Sequence, residues 1–193
     1  MKNIDKVSLY FVIFLLSVSV YIKKEDFFTN LIVVNHNGYN FKVRDEHDKE
    51  DGAKMLYNIH KKTEKLCKHL NETDPEYYGV QRLVKRYNPS ILRELHKGSS
   101  NTSYSVNKGE KLVVCMRSKE DDSLHEENTV FFVVLHELAH IMSKTIGHND
   151  EFWKNFKYLL KHAITIKIYD YQDFNSKSES YCGINITDTP YKL

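Results

Sequence analysis

Residues 129–156 read TVFFVVLHELAHIMSKTIGHNDEFWKNF, and the rest of the chain is best read outward from them. An unbroken apolar run, Val130 to Leu135, leads into His136-Glu137-Leu138-Ala139-His140. On a helix, positions i and i+4 project from one face a single turn apart. Two imidazoles at that spacing can hold one zinc ion, and the glutamate directly after the first can reach a metal-activated water. Zinc lowers the pKa of such a water toward about 7, so Glu137 can take its proton as the water attacks a carbonyl. The bland alternative is a chance match, two structural histidines on an amphipathic helix. Against it, two histidines and a glutamate inside so apolar a helix are costly unless they share a purpose. Gly147 then stops the helix, and His148 follows it directly. A third ligand on that turn can swing back to the metal and leave the fourth position open.

The flanking residues support the same geometry. Asn149 is placed to cap a further helix, with Asp150 and Glu151 in the first turn where they suit the dipole. Phe152, Phe156, Leu159, Leu160 and Ala163 form its apolar stripe and can pin the turn that carries His148. A metzincin needs glycine three residues after the second histidine and another histidine three further on. Ser143 and Ile146 stand there instead. A thermolysin-type site takes its third ligand from a glutamate on a later helix. Glu151 is available, but His148 is the better placed.

Upstream, helical periodicity runs from about Asp51 to Leu70 through Ala53, Leu56, Ile59 and Leu66. A shorter helix is expected over residues 76–87, ended by Asn88-Pro89. Phe41 to Arg44 alternates as a half-buried strand does, and residues 101–105 read as loop. Lys111 to Met116 (KLVVCM) reads as a buried strand after the turn Asn107-Lys108-Gly109. That strand is a candidate edge for an extended substrate, with an ordinary core strand as the other reading. Residues 118–128 form an acidic loop, the motif helix is capped by Asn128 or Thr129, and the tail beyond the last helix reads as irregular. Tyr169, Tyr171 and Tyr181 are candidate oxyanion donors, each more simply a packing residue. The remaining histidines, 36, 47, 60, 69, 96, 125 and 162, read as solvated surface groups.

The chain has 193 residues, 41% hydrophobic and 28% charged, with a formal net charge of +2. This is an ordinary globular balance and too mild to argue for nucleic acid as a partner. Three widely spaced cysteines, Cys67, Cys115 and Cys182, are not a disulfide framework and contain no C-x-x-C pair, so any zinc site draws on histidines and carboxylates. Cys182 reads as a buried structural thiol.

From Val7 to Ile22 the sequence VSLYFVIFLLSVSVYI carries no charge and is bracketed by Lys2, Lys6, Lys23 and Lys24. As a helix it spans about 24 Å, short of the hydrocarbon core of about 30 Å. The lysines can snorkel and Tyr10 and Tyr21 can sit at the interfaces. The expectation is an N-terminal hydrophobic helix anchoring a single-pass membrane protein. The alternatives are a signal peptide cleaved near Ser17-Val18-Ser19, giving a secreted protein, or a buried element of the domain.

The segment His136 to Phe156 closely resembles the WLM and SprT-like zinc metallopeptidases, whose pattern is H-E-L-x-H, a short spacer, then G-H or P-H before an aromatic. The wider stretch from Thr102 to Pro190 is similar to the WLM-like proteins of large DNA viruses and algae, including Tyr104 to Gly109 and Tyr181-Cys182-Gly183. The resemblance implies an α+β, zincin-like fold with a small sheet and an H-E-x-x-H active-site helix. It also implies zinc on His136, His140 and His148, Glu137 as base, and peptidase activity, in some members on proteins crosslinked to DNA. The expected organisation is an anchor or signal segment over 1–24, a linker over 25–40 and the metallopeptidase domain over 41–193. The expected partners are a protein or peptide substrate, a membrane through Val7 to Ile22 and, by resemblance alone, DNA-bound protein. A second functional reading is a zinc-stabilised binding or scaffold module without turnover. Glu137 disfavours it, because a binder has no use for a base.

Overall fold

The computed structural model describes residues 30–192. Strands β1 (Leu31–His36) and β2 (Tyr39–Arg44) form an antiparallel hairpin. Its two-residue turn is Asn37-Gly38, with φ of 50° and 83°. A type I′ turn needs two left-handed residues, which Asn-Gly tolerates best. Helix α1 (Lys49–Thr73) follows and lays Ala53, Leu56, Ile59, Leu66 and Leu70 on the sheet. Next come α2 (Tyr78–Arg86), a short 3-10 turn at Pro89–Ile91, and β3 (Leu92–Glu94). A second hairpin, β4 (Tyr104–Val106) and β5 (Lys111–Val114), completes the sheet. The two remaining helices are α3 (Glu127–Met142) and α4 (Asp150–Thr165), and the chain closes with a small hairpin, β6 (Glu179–Tyr181) and β7 (Ile184–Ile186).

The five-stranded sheet runs β1-β2-β3-β5-β4, parallel where β3 meets β2 and β5, antiparallel at both margins. The whole is a mixed α+β fold with four helices among the described residues. Helix α3 is the central element. It packs on α2 and α4 and touches α1, β4 and β5. Val130, Phe131, Val134, Leu135, Leu138, Ala139, Ile141 and Met142 are all buried. The apolar run before the motif therefore reflects burial on several sides. At its end, a Cβ on Gly79 would come within 2.8 Å of the Met142 methyl, so glycine lets α2 close on α3.

Several expectations are corrected. Residues 31–36, within the stretch read as linker, are a sheet strand, and the tail read as irregular contains the β6–β7 hairpin. Strand β5 is not an edge. It is internal, and the edge on that side of the sheet is β4, which begins in the stretch read as loop. Three-residue strands are too short for alternation to show, and pairing decides them. Cys182 is no free thiol, since it forms a disulfide with Cys115, 67 positions away. Cys67 remains free.

The single-pass membrane placement is corrected as well. Among the described residues no helix is long and apolar enough to cross a membrane. The most apolar, α3, has 16 residues, about 24 Å of rise, and its apolar side chains are consumed by the core. The segment from Val7 to Ile22, on which the placement and the N-terminal helix rested, lies outside the described residues.

Candidate metal centre

Helix α3 sets His136 and His140 one turn apart, with ring centroids 5.0 Å from each other. His148 arrives from the α3–α4 loop, 4.9 Å from both rings. Its Nε2 lies 3.0 Å from Nε2 of His136 and 3.2 Å from Nε2 of His140. The fully buried Phe152, in the first turn of α4, is the platform beneath all three, with centroid distances of 4.7, 4.3 and 4.6 Å.

The loop that delivers His148 is held from three directions. Gly147 takes φ of 87°, where a Cβ would be strained. The Glu151 carboxylate accepts the backbone N–H groups of Lys144 (2.9 Å) and Thr145 (3.1 Å) and the Thr145 hydroxyl (2.7 Å). These bonds, the Lys144 N–H foremost, pull its carboxyl down to about 2. Glu151 is thus committed to the loop, and it is absent from the ligand-donor group formed by the three histidines. Asn149 caps α4 by accepting the Phe152 N–H at 3.2 Å. At the carbonyl end of α3, Arg82 donates to Ile141 and Ser143, and Lys108 donates to Ser143 (2.6 Å) and Thr145. Cations at a helix C-terminus suit both its free carbonyls and its dipole.

The electrostatics favour ligation. Burial pulls His136 down to about 3, assisted by the neighbouring His140 and His148. Burial, His148 and Lys108 bring His140 to about 4. Both are therefore neutral at pH 7, the form that binds a metal. Close pairs of neutral ring nitrogens place lone pairs together, and a shared cation satisfies them where a proton on each could not. Among the described residues this is the one group of three such side chains. Three imidazole nitrogens beside an open cleft fit zinc, with a position left for a further ligand.

Glu137 is 5% exposed and borders the same cleft. Burial pushes its carboxyl up to about 7, and hydrogen bonds from the hydroxyl and backbone of Ser105 on β4 oppose that rise. The cleft has a volume of about 750 Å³. One wall is β4 and its turn, with Thr102, Ser103, Ser105, Asn107 and Lys108. The other is built from α3, α4 and the β6–β7 hairpin.

Of the three candidate tyrosines, only Tyr181 borders the cleft. Its hydroxyl is engaged by Cys115 O (2.5 Å) and Ser103 Oγ (2.8 Å), which suits a wall better than an oxyanion donor. Tyr169 packs on Phe132 away from the cleft. Not all other histidines are solvated. His60 is buried against Tyr39 and Tyr87, and His125 accepts the Cys182 N–H at 3.2 Å. Sequence reasoning missed the roles of Ser105, Lys108 and Arg82. The pattern Tyr-Ser-Val before Asn-Lys-Gly was a hairpin signal that would have placed Ser105 on a strand.

Comparison with known proteins gives the family and the fold. Residues 60–191 match the family model of the WLM domain. An uncharacterised protein of Acanthamoeba polyphaga mimivirus is 31% identical over 145 residues, 73% of this chain and 74% of that protein. Another, of Invertebrate iridescent virus 6, is 28% identical over 118 residues, 60% of this chain and 65% of that one. Among solved structures, Wss1 from Saccharomyces cerevisiae is similar with a TM-score of 0.51 at 21% identity, covering 65% of this chain and 87% of that chain. At this identity the likeness is one of fold.

Proposed function

The chain belongs to the WLM domain family, and on that premise we propose that it is a zinc-dependent peptidase of zincin-like fold. His136, His140 and His148 are the ligands and Glu137 is the general base. The observation that carries the reading is the meeting of three imidazole Nε2 atoms beside a buried carboxylate in an open cleft. Zinc held there would supply Lewis-acid polarisation of a water and of the scissile carbonyl. The other steps belong to the chain. Glu137 takes a proton from the attacking water and returns it to the leaving amine. Ser105 holds that carboxylate in place until substrate arrives. The free edge of β4 offers backbone groups to an extended polypeptide, which then lies across the metal centre as an added strand. Substrate carbonyls meet no acidic side chain along β4 itself, where Thr102, Ser103, Ser105 and Asn107 face the cleft.

Metal analysis and proteolysis of the full chain test this together. One zinc per chain is expected, lost on replacing His148 by alanine. Glu137→Gln should retain the metal and lose activity on an unfolded protein substrate by at least about 10²-fold. Zinc without turnover in the parent would support the scaffold reading instead. Full zinc occupancy in the His148 variant would reassign the third ligand.

A further inference from the structure

The two walls of the cleft differ in chemistry. The β4 wall is mainly polar, with Tyr104 among Thr102, Ser103, Ser105, Asn107 and Lys108, while the facing wall is mainly apolar. Phe132 and Val133 stand one turn before His136 on α3, and Phe156 and Trp153 come from α4. Ile184 and Ile186 come from the C-terminal hairpin. Phe156 lies 5.3 Å from the His136 ring and 5.2 Å from Phe132, so the apolar floor begins at the metal centre. Six large apolar residues are exposed among those described, and three of them, Ile146, Trp153 and Ile184, line this one cleft. Apolar surface left open and gathered in a concavity marks a place for an apolar partner. The exposed Asp188 also borders this end, which opposes an acidic one.

We infer that this end of the cleft is a side-chain subsite that selects polypeptides carrying a large aliphatic or aromatic residue next to the scissile bond. The inference rests on the peptidase reading for the position of that bond, and on the walls alone for the chemistry of the side chain. The substrate backbone follows β4, and its apolar side chain crosses the cleft onto Val133, Trp153 and Ile186, with the nearly fully buried Phe132 and Phe156 behind them. Such residues are buried in folded proteins, so the cleft favours unfolded or locally opened chains. The β6–β7 hairpin pairs with no other strand among those described and is tied to the sheet by the Cys115–Cys182 disulfide and the Tyr181 hydroxyl. That tether keeps the subsite formed before substrate binds.

Trp153 is the chain's sole tryptophan and is 40% exposed at the cleft, so its fluorescence reports occupancy directly. The experiment uses the full chain with zinc and a peptide series varying one residue at each position flanking the cleaved bond. At one flanking position, Leu or Phe should exceed Gly or Glu by about 10- to 100-fold in kcat/KM. Ile184→Arg, at a half-exposed position, should reduce that preference and raise the relative rate for Glu. In the Glu137→Gln chain, the Leu peptide should shift Trp153 emission at concentrations where the Gly peptide does not. Cleavage of the whole series at equal rates, with no selective Trp153 response, overturns the subsite and leaves the peptidase reading standing. A selective Trp153 response without cleavage by the zinc-loaded parent upholds the subsite and removes the peptidase reading. Neither cleavage nor a selective response overturns both.

Discussion

Two polar clusters stand near the sheet, one buried and one opening on the cleft, and they are built in opposite ways. In the first, Glu94 is fully buried between Arg44 and Arg117. It accepts the Arg44 backbone N–H at 2.7 Å and Arg117 Nε at 2.8 Å. Arg44 donates from Nε to Leu95 O and pairs with Asp122, and Arg117 pairs with Asp48 at 2.7 Å. Charges of both signs are present and largely consumed within the cluster. In the second, three imidazoles point their Nε2 atoms at one another beside Glu137. The hydrogen-bonding capacity of the first cluster is largely used within it, with Arg117 Nη2 and Asp48 Oδ1 left over. The histidine cluster brings together lone pairs suited to a cation and opens on the cleft of about 750 Å³, while the arginine cluster borders only a smaller one of about 260 Å³.

The largest expected effect would come from breaking the buried arginine–carboxylate cluster. Glu94→Ala removes the acceptor of Arg117 Nε and of the Arg44 backbone N–H, and the counter-charge nearest both buried guanidinium groups, and should cost about 3–5 kcal/mol in denaturant unfolding. His136→Ala in metal-free protein should cost far less, since no counter-charge is orphaned. Adding zinc should stabilise the parent and leave that variant unmoved. Equal losses for the two variants without metal would erase the distinction drawn here.

The disulfide joins the two regions, with Cys115 two residues before Arg117 and Cys182 directly after the cleft residue Tyr181. Reducing it, or replacing Cys115 by serine, should lower stability by about 2–4 kcal/mol, because the closed loop is long. Zinc should still bind, since all three ligands lie on α3 and its following loop. Metal loss on mild reduction would show that the wall, and not the loop, orders the histidines.

A smaller effect belongs to Glu151, which supports the metal loop without ligating. Glu151→Ala should weaken zinc binding by about 10- to 100-fold in competition with a chelator, the scale for residues that orient ligands. Unchanged affinity would leave Phe152 and Lys108 as sufficient supports. The subtlest expectation is the pH profile. Burial holds Glu137 near 7 in the metal-free chain, and a nearby cation favours the carboxylate and lowers that value. Activity should therefore fall on acidification with an apparent pKa below about 7, measured as kcat/KM with zinc content followed at each pH. An acid limb above 7 would put the base elsewhere.

Much of the site was legible from one segment. A spacing of four residues on a helix set His136 and His140 together. Gly147 announced the turn that carries His148, and Asn149 the cap of α4. The sheet was less legible. Strand β4 has three residues, and the hairpin signal Asn37-Gly38 lay inside a stretch read as linker. The cysteines misled because 67 positions separate a pair that only the packing of the β6 hairpin against β5 brings to bonding distance.

The sequence by itself determined what local geometry can determine. Helix pitch places i and i+4 on one face, glycine takes a left-handed φ, and asparagine caps a helix, whatever lies around them. Only the tertiary structure decided that β4 and not β5 is the edge on the cleft side, that Ser105 on that strand stands close enough to Glu137 to lower its carboxyl, and that Glu151 braces the loop. It also decided that residues 181–190 wall the cleft. These contacts join residues far apart in the chain, and strand order and helix packing, which no short-range preference encodes, bring them together.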